Sequence, residues 1–190
     1  MLITLLDLER EPLRFDERLA PGAIDFGDLA TQTSDLTVRG QADLLREHRG
    51  PREIVPDIRI RAGWSGTFEA PCARCLDPVR HTLAADFDLL FRPQGVDAGP
   101  PERALVPPET EIGYYQEGGL VLEDVLREQV LLTLPARSLC RPDCKGLCPH
   151  CGHNRNSEPC TCEEASSDPR WSALSDLRSR LGSAAEKAGH

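Results

Sequence analysis

Eight cysteines are the residues of this chain best suited to chemistry, and their spacing separates a pair, Cys72 and Cys75, from a cluster at Cys140, Cys144, Cys148, Cys151, Cys160 and Cys162. Thiols gathered in this way serve as metal ligands, redox centres or disulfides. In Leu147-Cys148-Pro149-His150-Cys151-Gly152, two thiolates separated by two residues can face one ion, and Gly152 lets the backbone turn beneath the sulfurs. That is the form of a zinc knuckle, half of a tetrahedral site, and eight sulfurs are enough for two such sites. A disulfide framework would instead need an oxidising compartment. The apolar stretch from Leu2 to Leu8 is interrupted by Asp7, has no basic residue before it and runs into Glu9, Arg10 and Glu11, so it resembles neither a signal peptide nor a membrane span. The expectation is a protein of the reducing cytoplasm, off the membrane, whose clustered thiols bind metal.

The local division places Cys148, Cys151, Cys160 and Cys162 on one ion, because the intervening Asn154, Asn156 and Pro159 let the chain return to the knuckle. Cys72, Cys75, Cys140 and Cys144 are left for a second. That ion would clamp a turn to a segment far away in sequence and so contribute to folding. An exchanged assignment, with Cys140 and Cys144 completing the knuckle site, stays open. His81, His150 and His153 are reserve ligands only, since the cysteines already supply enough donors. Four thiolates around a redox-inert ion favour zinc, two ions per chain, although spacing does not exclude iron.

Four sulfurs per ion leave no open coordination position, so the sites read as structural. A thioredoxin-like role for Cys72 and Cys75 would need a strand followed by a helix. No serine nucleophile elbow, phosphate-binding glycine loop or hydrolase-like pair of carboxylates accompanies them, and no enzymatic activity is expected. The net charge of −9 disfavours nonspecific attraction to nucleic acid, which depends on lysine and arginine displacing counterions. One basic locality stands apart: Arg137, Arg141, Lys145 and Arg155 surround the cluster against only Asp143. These charges either solubilise a metal module or touch RNA.

The cysteine pair must be positioned by extended chain. Leu36, Val38, Gly40, Ala42 and Leu44 alternate with polar residues, as a half-buried strand requires. After a turn at His48-Arg49-Gly50-Pro51, a second extended run carries Ile54, Ile58, Ile60, Trp64 and Phe68, with a bulge or bend expected at Gly63 and Gly66. Val79, His81, Leu83, Ala85, Phe87, Leu89 and Phe91 line one face of a third strand, which puts Cys72 and Cys75 in the turn between strands two and three. Prolines and glycines mark 92–119 as a mobile loop, with a short strand at Ile112, Tyr114 and Tyr115. Leu122, Val125, Leu126, Gln129 and Val130 then recur at helical spacing, and the helix ends before Pro135. Leu131, Leu132 and Leu134 complete the core or meet a partner. Asp168 caps a terminal helix with Pro169 at its first position, striped by Trp171, Leu174, Leu177 and Leu181.

The expected fold is α+β: an antiparallel sheet or partly open barrel with one packed helix, followed by a small zinc-knuckle module and a C-terminal helix. Residues 1–135 would form the main domain, 136–165 the cysteine-rich module, and 166–190 the helix and frayed tail.

Taken together, Cys72-Ala-Arg-Cys75-Leu-Asp-Pro, Leu134-Pro135, Cys144-Lys-Gly-Leu-Cys-Pro-His-Cys-Gly152, Asn154, Asn156, Cys160-Thr-Cys162 and Asp168-Pro-Arg170 resemble the YceD-like family of bacterial large-ribosomal-RNA accumulation proteins. The resemblance covers nearly the whole chain and is weaker before Leu36. It implies a cytoplasmic, non-enzymatic factor needed for synthesis, processing or stability of large-subunit ribosomal RNA, with relatives in plastids. It also implies that the upstream pair is shared more widely than the knuckle cysteines, which makes the tail metal an elaboration. Arg155 departs from the family pattern, where an apolar residue is common, and bears on the packing of the knuckle. Against the acidic charge, the favoured partner is a ribosomal protein or large-subunit assembly factor. The alternative is direct contact with ribosomal RNA through Arg137, Arg141, Lys145 and Arg155.

Overall fold

The computed structural model describes residues 1–48, 53–97, 112–116, 118–157, 159–162 and 174. Contacts divide the chain into two units, Met1–Gly146 and Leu147–His190. In the first, β1 (Leu2–Ile3), a short helix α1 (Leu5–Leu8) and β2 (Leu13–Leu19) precede a one-turn 3-10 helix at Gly27–Leu29 and β3 (Thr31–Gln32). Three long strands follow: β4 (Leu36–His48), β5 (Ile54–Pro71) and β6 (Pro78–Pro93). β7 (Ile112–Tyr115), β8 (Leu120–Val121) and the helix α2 (Leu122–Thr133) complete the unit.

The principal sheet runs β2-β4-β5-β6-β7, with β3 also pairing β5, and β1 pairs β8 separately. It is an open sheet, so the barrel alternative is not realised. Its pairs are antiparallel except β6 with β7, which run parallel from Leu90↔Ile112 to Pro93↔Tyr115. Alternation explains the three long strands: Leu36, Val38, Ala42, Ile58, Ile60, Trp64 and Phe68 are buried on one face, while Arg39, Asp43, Arg59, Arg61 and Asp88 form ion pairs on the other.

The expected bulge is absent. β5 and β6 keep one register from Ile58↔Phe91 to Pro71↔Pro78. The glycines make room instead. A Cβ on Gly63 would stand 2.4 Å from Asp86 Oδ1, and one on Gly66 would stand 3.2 Å from Phe68 Cε2 and 3.3 Å from Leu36 Cδ1. The expected turn after His48 lies outside the described residues. Within 92–119, Arg92 and Pro93 finish β6 and Ile112–Tyr115 forms β7; residues 98–111 and 117 lie outside the described residues.

α2 buries Leu122, Val125, Leu126 and Val130 in the same core as β4 and β5. Each such side chain stabilises the fold by roughly 1.5–3 kcal/mol, so packing holds this short helix in place. Leu131 and Leu134 pack against the core, whereas Leu132 is exposed. Leu134 N–H still donates to Val130 O, at 3.0 Å, and Pro135 ends the run. No described helix is long and apolar enough to cross a membrane.

A buried ion pair closes one end of the sheet. Arg92 on β6 presents Nε and Nη2 to the two carboxylate oxygens of Asp57 on β5, at 3.1 and 2.9 Å. Its guanidinium also reaches Asp97, at 3.4 Å, and Glu47. Hydrogen bonding to Asp57 raises the Arg92 pKa further against the opposing effect of burial. Tyr115 of β7 donates to Pro56 O at 2.6 Å beside this pair.

Of the second unit, Leu147–Ser157, Pro159–Cys162 and Leu174 are described. The terminal helix expected from Asp168 lies outside the described residues apart from Leu174.

Candidate metal centres

The β5–β6 hairpin closes at Pro71↔Pro78, and its turn holds the first pair of sulfurs. Cys72 N–H donates to Asp77 O at 2.8 Å and Leu76 N–H to Cys72 O at 3.0 Å, curling the chain so that both thiols face one point. The segment after α2 arrives there. Ser138 O accepts Ala73 N–H at 2.8 Å, and Ser138 Oγ meets His81 Nε2 at 2.9 Å. His81 is therefore a hydrogen-bonded side chain on the inner face of β6, outside the sulfur cluster.

Cys140 and Cys144 complete a quartet with Cys72 and Cys75, every sulfur lying within 4.8 Å of the others. Cys72 Sγ is 3.9 Å from Cys144 Sγ, and Cys75 Sγ is 3.5 Å from Cys140 Sγ. Cys72, Cys75 and Cys144 are buried, while Cys140 is exposed. Arg74 straps the two segments together through Nη1, which donates to Cys144 O at 2.7 Å. Gly146 must be glycine on two counts: its φ is 72°, and a Cβ there would stand 2.8 Å from Arg74 O.

Cys148, Cys151, Cys160 and Cys162 form the other quartet, again within 4.8 Å. Cys148 and Cys160 sulfurs are 3.4 Å apart, and Cys151 and Cys160 sulfurs 3.6 Å. Gly152 N–H donates to Cys148 O at 2.9 Å, Cys148 N–H to His153 O at 2.8 Å, and Leu147 bridges Asn154. Asn154 Oδ1 accepts Asn156 N–H at 3.0 Å and turns the chain back towards Cys160. Both His150 and His153 are exposed.

These spacings test what the quartets can hold. A disulfide brings sulfurs to about 2.05 Å, so none of these pairs is bonded. Four sulfurs around one zinc at about 2.3 Å stand about 3.8 Å apart, and the quartets match that arrangement. Electrostatics agrees. Burial favours the neutral thiol of Cys72, yet N–H groups of Arg74, Cys140 and Cys75 outweigh it and bring its pKa down to about 6. N–H groups of Cys151 and His150 do the same for Cys148, also to about 6. Three others are shifted the opposite way: burial pushes Cys75 and Cys140 up, and the neighbouring Cys160 and Cys151 push Cys162 up to about 12. Each quartet thus holds a thiol that ionises readily, Cys72 or Cys148, beside thiols that a nearby cation would help to ionise, Cys75 and Cys140 in one and Cys162 in the other.

Arg137, Arg141 and Lys145 are exposed in the first unit, and Arg155 in the second. Arg141 Nε lies 3.7 Å from Asp143 Oδ1, which offsets part of its charge. Residues that sequence spacing did not single out for the site are Arg74, Leu76, Asp77 and Ser138. Gly146, a glycine two residues from Cys144 and from Cys148, carried a signal of its role.

The open sheet, whose hairpin turn enters one four-sulfur group, and the second four-sulfur group of the following unit define a sheet protein with two cysteine quartets that could hold metal ions. The chain belongs to the family described as large ribosomal RNA subunit accumulation protein YceD, whose model matches residues 60–178 and so takes in all eight cysteines. Similar proteins include an uncharacterized protein of Mycobacterium tuberculosis, 38% identical over 118 residues that cover 60% of this chain and 54% of that one. An uncharacterized protein of Mycobacterium leprae is 32% identical over 118 residues, 60% of this chain and 51% of its own. A Zea mays protein named large ribosomal RNA subunit accumulation protein YCED homolog 1, chloroplastic, is 23% identical over 179 residues, 77% of this chain and 61% of its own. The chain spans about half the length of the mycobacterial relatives it matches. No solved structure matches it significantly.

Proposed function

We propose that this chain is a non-enzymatic cytoplasmic factor that supports the synthesis, processing or stability of large-subunit ribosomal RNA by holding a basic ribosomal protein or assembly factor. The family match carries the process. The net charge of −9 supports a basic protein as the partner, since broad contact with an RNA backbone needs the opposite sign. In this reading two zinc ions, each bound by four thiolates, fasten the structure that presents the acidic surface. Cys72, Cys75, Cys140 and Cys144 would hold one, and Cys148, Cys151, Cys160 and Cys162 the other. Zinc there supplies charge neutralisation and cross-linking. The hairpin turn, the strap from Arg74 and the N–H groups aimed at Cys72 organise the donors before the ion arrives.

A second reading has the protein touch RNA directly, and exposed Arg137, Arg141 and Lys145 near the first quartet favour it. Nuclease separates the two. The tagged full chain is used to capture ribosomal particles from lysate. A protein-mediated interaction keeps ribosomal or assembly proteins after nuclease, although its charge attraction also weakens with salt, whereas direct phosphate binding is lost with nuclease. Loss of particle association when Arg137, Arg141, Lys145 and Arg155 become alanine, with fold and metal retained, would decide for RNA contact.

A further inference from the structure

β6 is flanked unequally. On one side β5 pairs with it from Pro78 to Phe91, but on the other β7 reaches only Leu90–Pro93. Between Val79 and Leu89, its edge-facing N–H and C=O groups have no backbone partner among the described residues. Exposed edges of this length are usually blunted by lysine, by proline within the strand or by a bulge. Here the register is unbroken, and the two prolines of β6, Pro78 and Pro93, stand at its ends. On the core face Leu83, Ala85 and Phe87 are only half-covered. On the outer face Arg80 and Asp86 are exposed and form no ion pair or hydrogen bond among the described residues.

These two charges are complementary to each other across a two-fold axis. Laid antiparallel against its own copy with Leu83 opposite Leu83, β6 sets Arg80 opposite Asp86 of the second copy, and Asp86 opposite Arg80. The same register sets Val79 opposite Phe87 on the apolar face. A shift by one residue would put core-face side chains opposite outer-face ones. Shifts by two put Arg80 opposite Ala84, which has no charge, or Asp88, which Arg59 already binds at 2.6 Å. The edge at β2 lacks this property, because Asp16 is already bound by Arg39 within the chain.

We infer that the Val79–Leu89 edge of β6 seats a second copy of this chain, joining the two sheets across a two-fold axis at Leu83. Directly opposite charges stabilise such a pairing and like charges oppose it. The full chain, kept reduced, is examined by sedimentation equilibrium over a wide concentration range. A dimer is expected. Arg80→Asp and Asp86→Arg should each raise its dissociation constant about tenfold or more, since each places like charges together at two symmetric positions. The double variant Arg80→Asp with Asp86→Arg should restore the dimer. Arg80→Gln and Asp86→Asn, which introduce no repulsion, should each weaken it about threefold and keep the result independent of any misfolding by the reversals. A monomer at every concentration, a dimer indifferent to these changes, or weakening that the double variant fails to rescue would overturn the inference.

Discussion

Leu76 holds in its turn the place that Gly152 holds in the other knuckle. Each follows the second cysteine of a Cys-x-x-Cys turn, each has a left-handed backbone, with φ of 64° and 72°, and each donates its N–H to the first cysteine's carbonyl, at 3.0 and 2.9 Å. The two turns are therefore built alike, but one places a branched side chain where glycine is favoured.

Leu76 is 64% exposed, so its replacement gives up little packing. Relief of left-handed strain is worth about 1–2 kcal/mol, and the greater unfolded freedom of glycine offsets about 0.5–1 kcal/mol of it. Leu76→Gly should thus stabilise the first unit by about 0.5–1 kcal/mol in urea unfolding. Destabilisation by more than about 1 kcal/mol would show that the Leu76 side chain is needed in the fold.

Acid should weaken the metal-free protein over a defined window. The ordinary thiol value is 9.0 and Cys72 in the folded chain titrates at about 6. Its thiolate contributes fully above 9.0, progressively less as pH falls, and nothing below about 6. Cys75, shifted upward, acts with the opposite sign: its contribution is present below 9.0 and is lost as pH rises through its folded value. Urea melts of reduced, chelated protein should show stability rising from about pH 6 towards 9.0, with Cys72→Ser reducing the rise. An unchanged slope in Cys72→Ser would remove this group as the cause.

Asp57→Ala leaves the Arg92 guanidinium buried without its bidentate partner, and Asp97 and Glu47 compensate only in part. The expected loss is about 3–5 kcal/mol by denaturant unfolding. The double change Asp57→Leu with Arg92→Met should be far closer to neutral, because it removes both desolvated charges. A loss below about 1 kcal/mol for Asp57→Ala would mean that water already reaches the pair.

The sequence made legible what depends on period and spacing. Alternation along Leu36–Leu44 and Val79–Phe91, and the three-and-four repeat from Leu122 to Val130, correspond to β4, β6 and α2. Cysteine spacing likewise anticipated the two groupings of sulfurs that the fold brings together. β2 carried little signal, because among its charged residues only Phe15 is buried. Gly63 and Gly66 suggested a bulge, since the Asp86, Phe68 and Leu36 side chains for which they make room belong to other positions of the sheet. The Arg92–Asp57 pair and the Arg74 strap join residues 35 and 70 positions apart, beyond the reach of any local pattern.

The central claim is that eight thiolates hold two ions, and elemental analysis of the full chain, purified reduced and without added metal, tests it most directly. The account predicts close to two zinc ions per chain. Replacing Cys72 and Cys75 by serine should leave one and lower the melting temperature of the first unit; replacing Cys148 and Cys151 should also leave one but spare the sheet. Metal-free protein under reducing conditions, or a single ion retained unchanged when Cys72 and Cys75 are replaced, would contradict it.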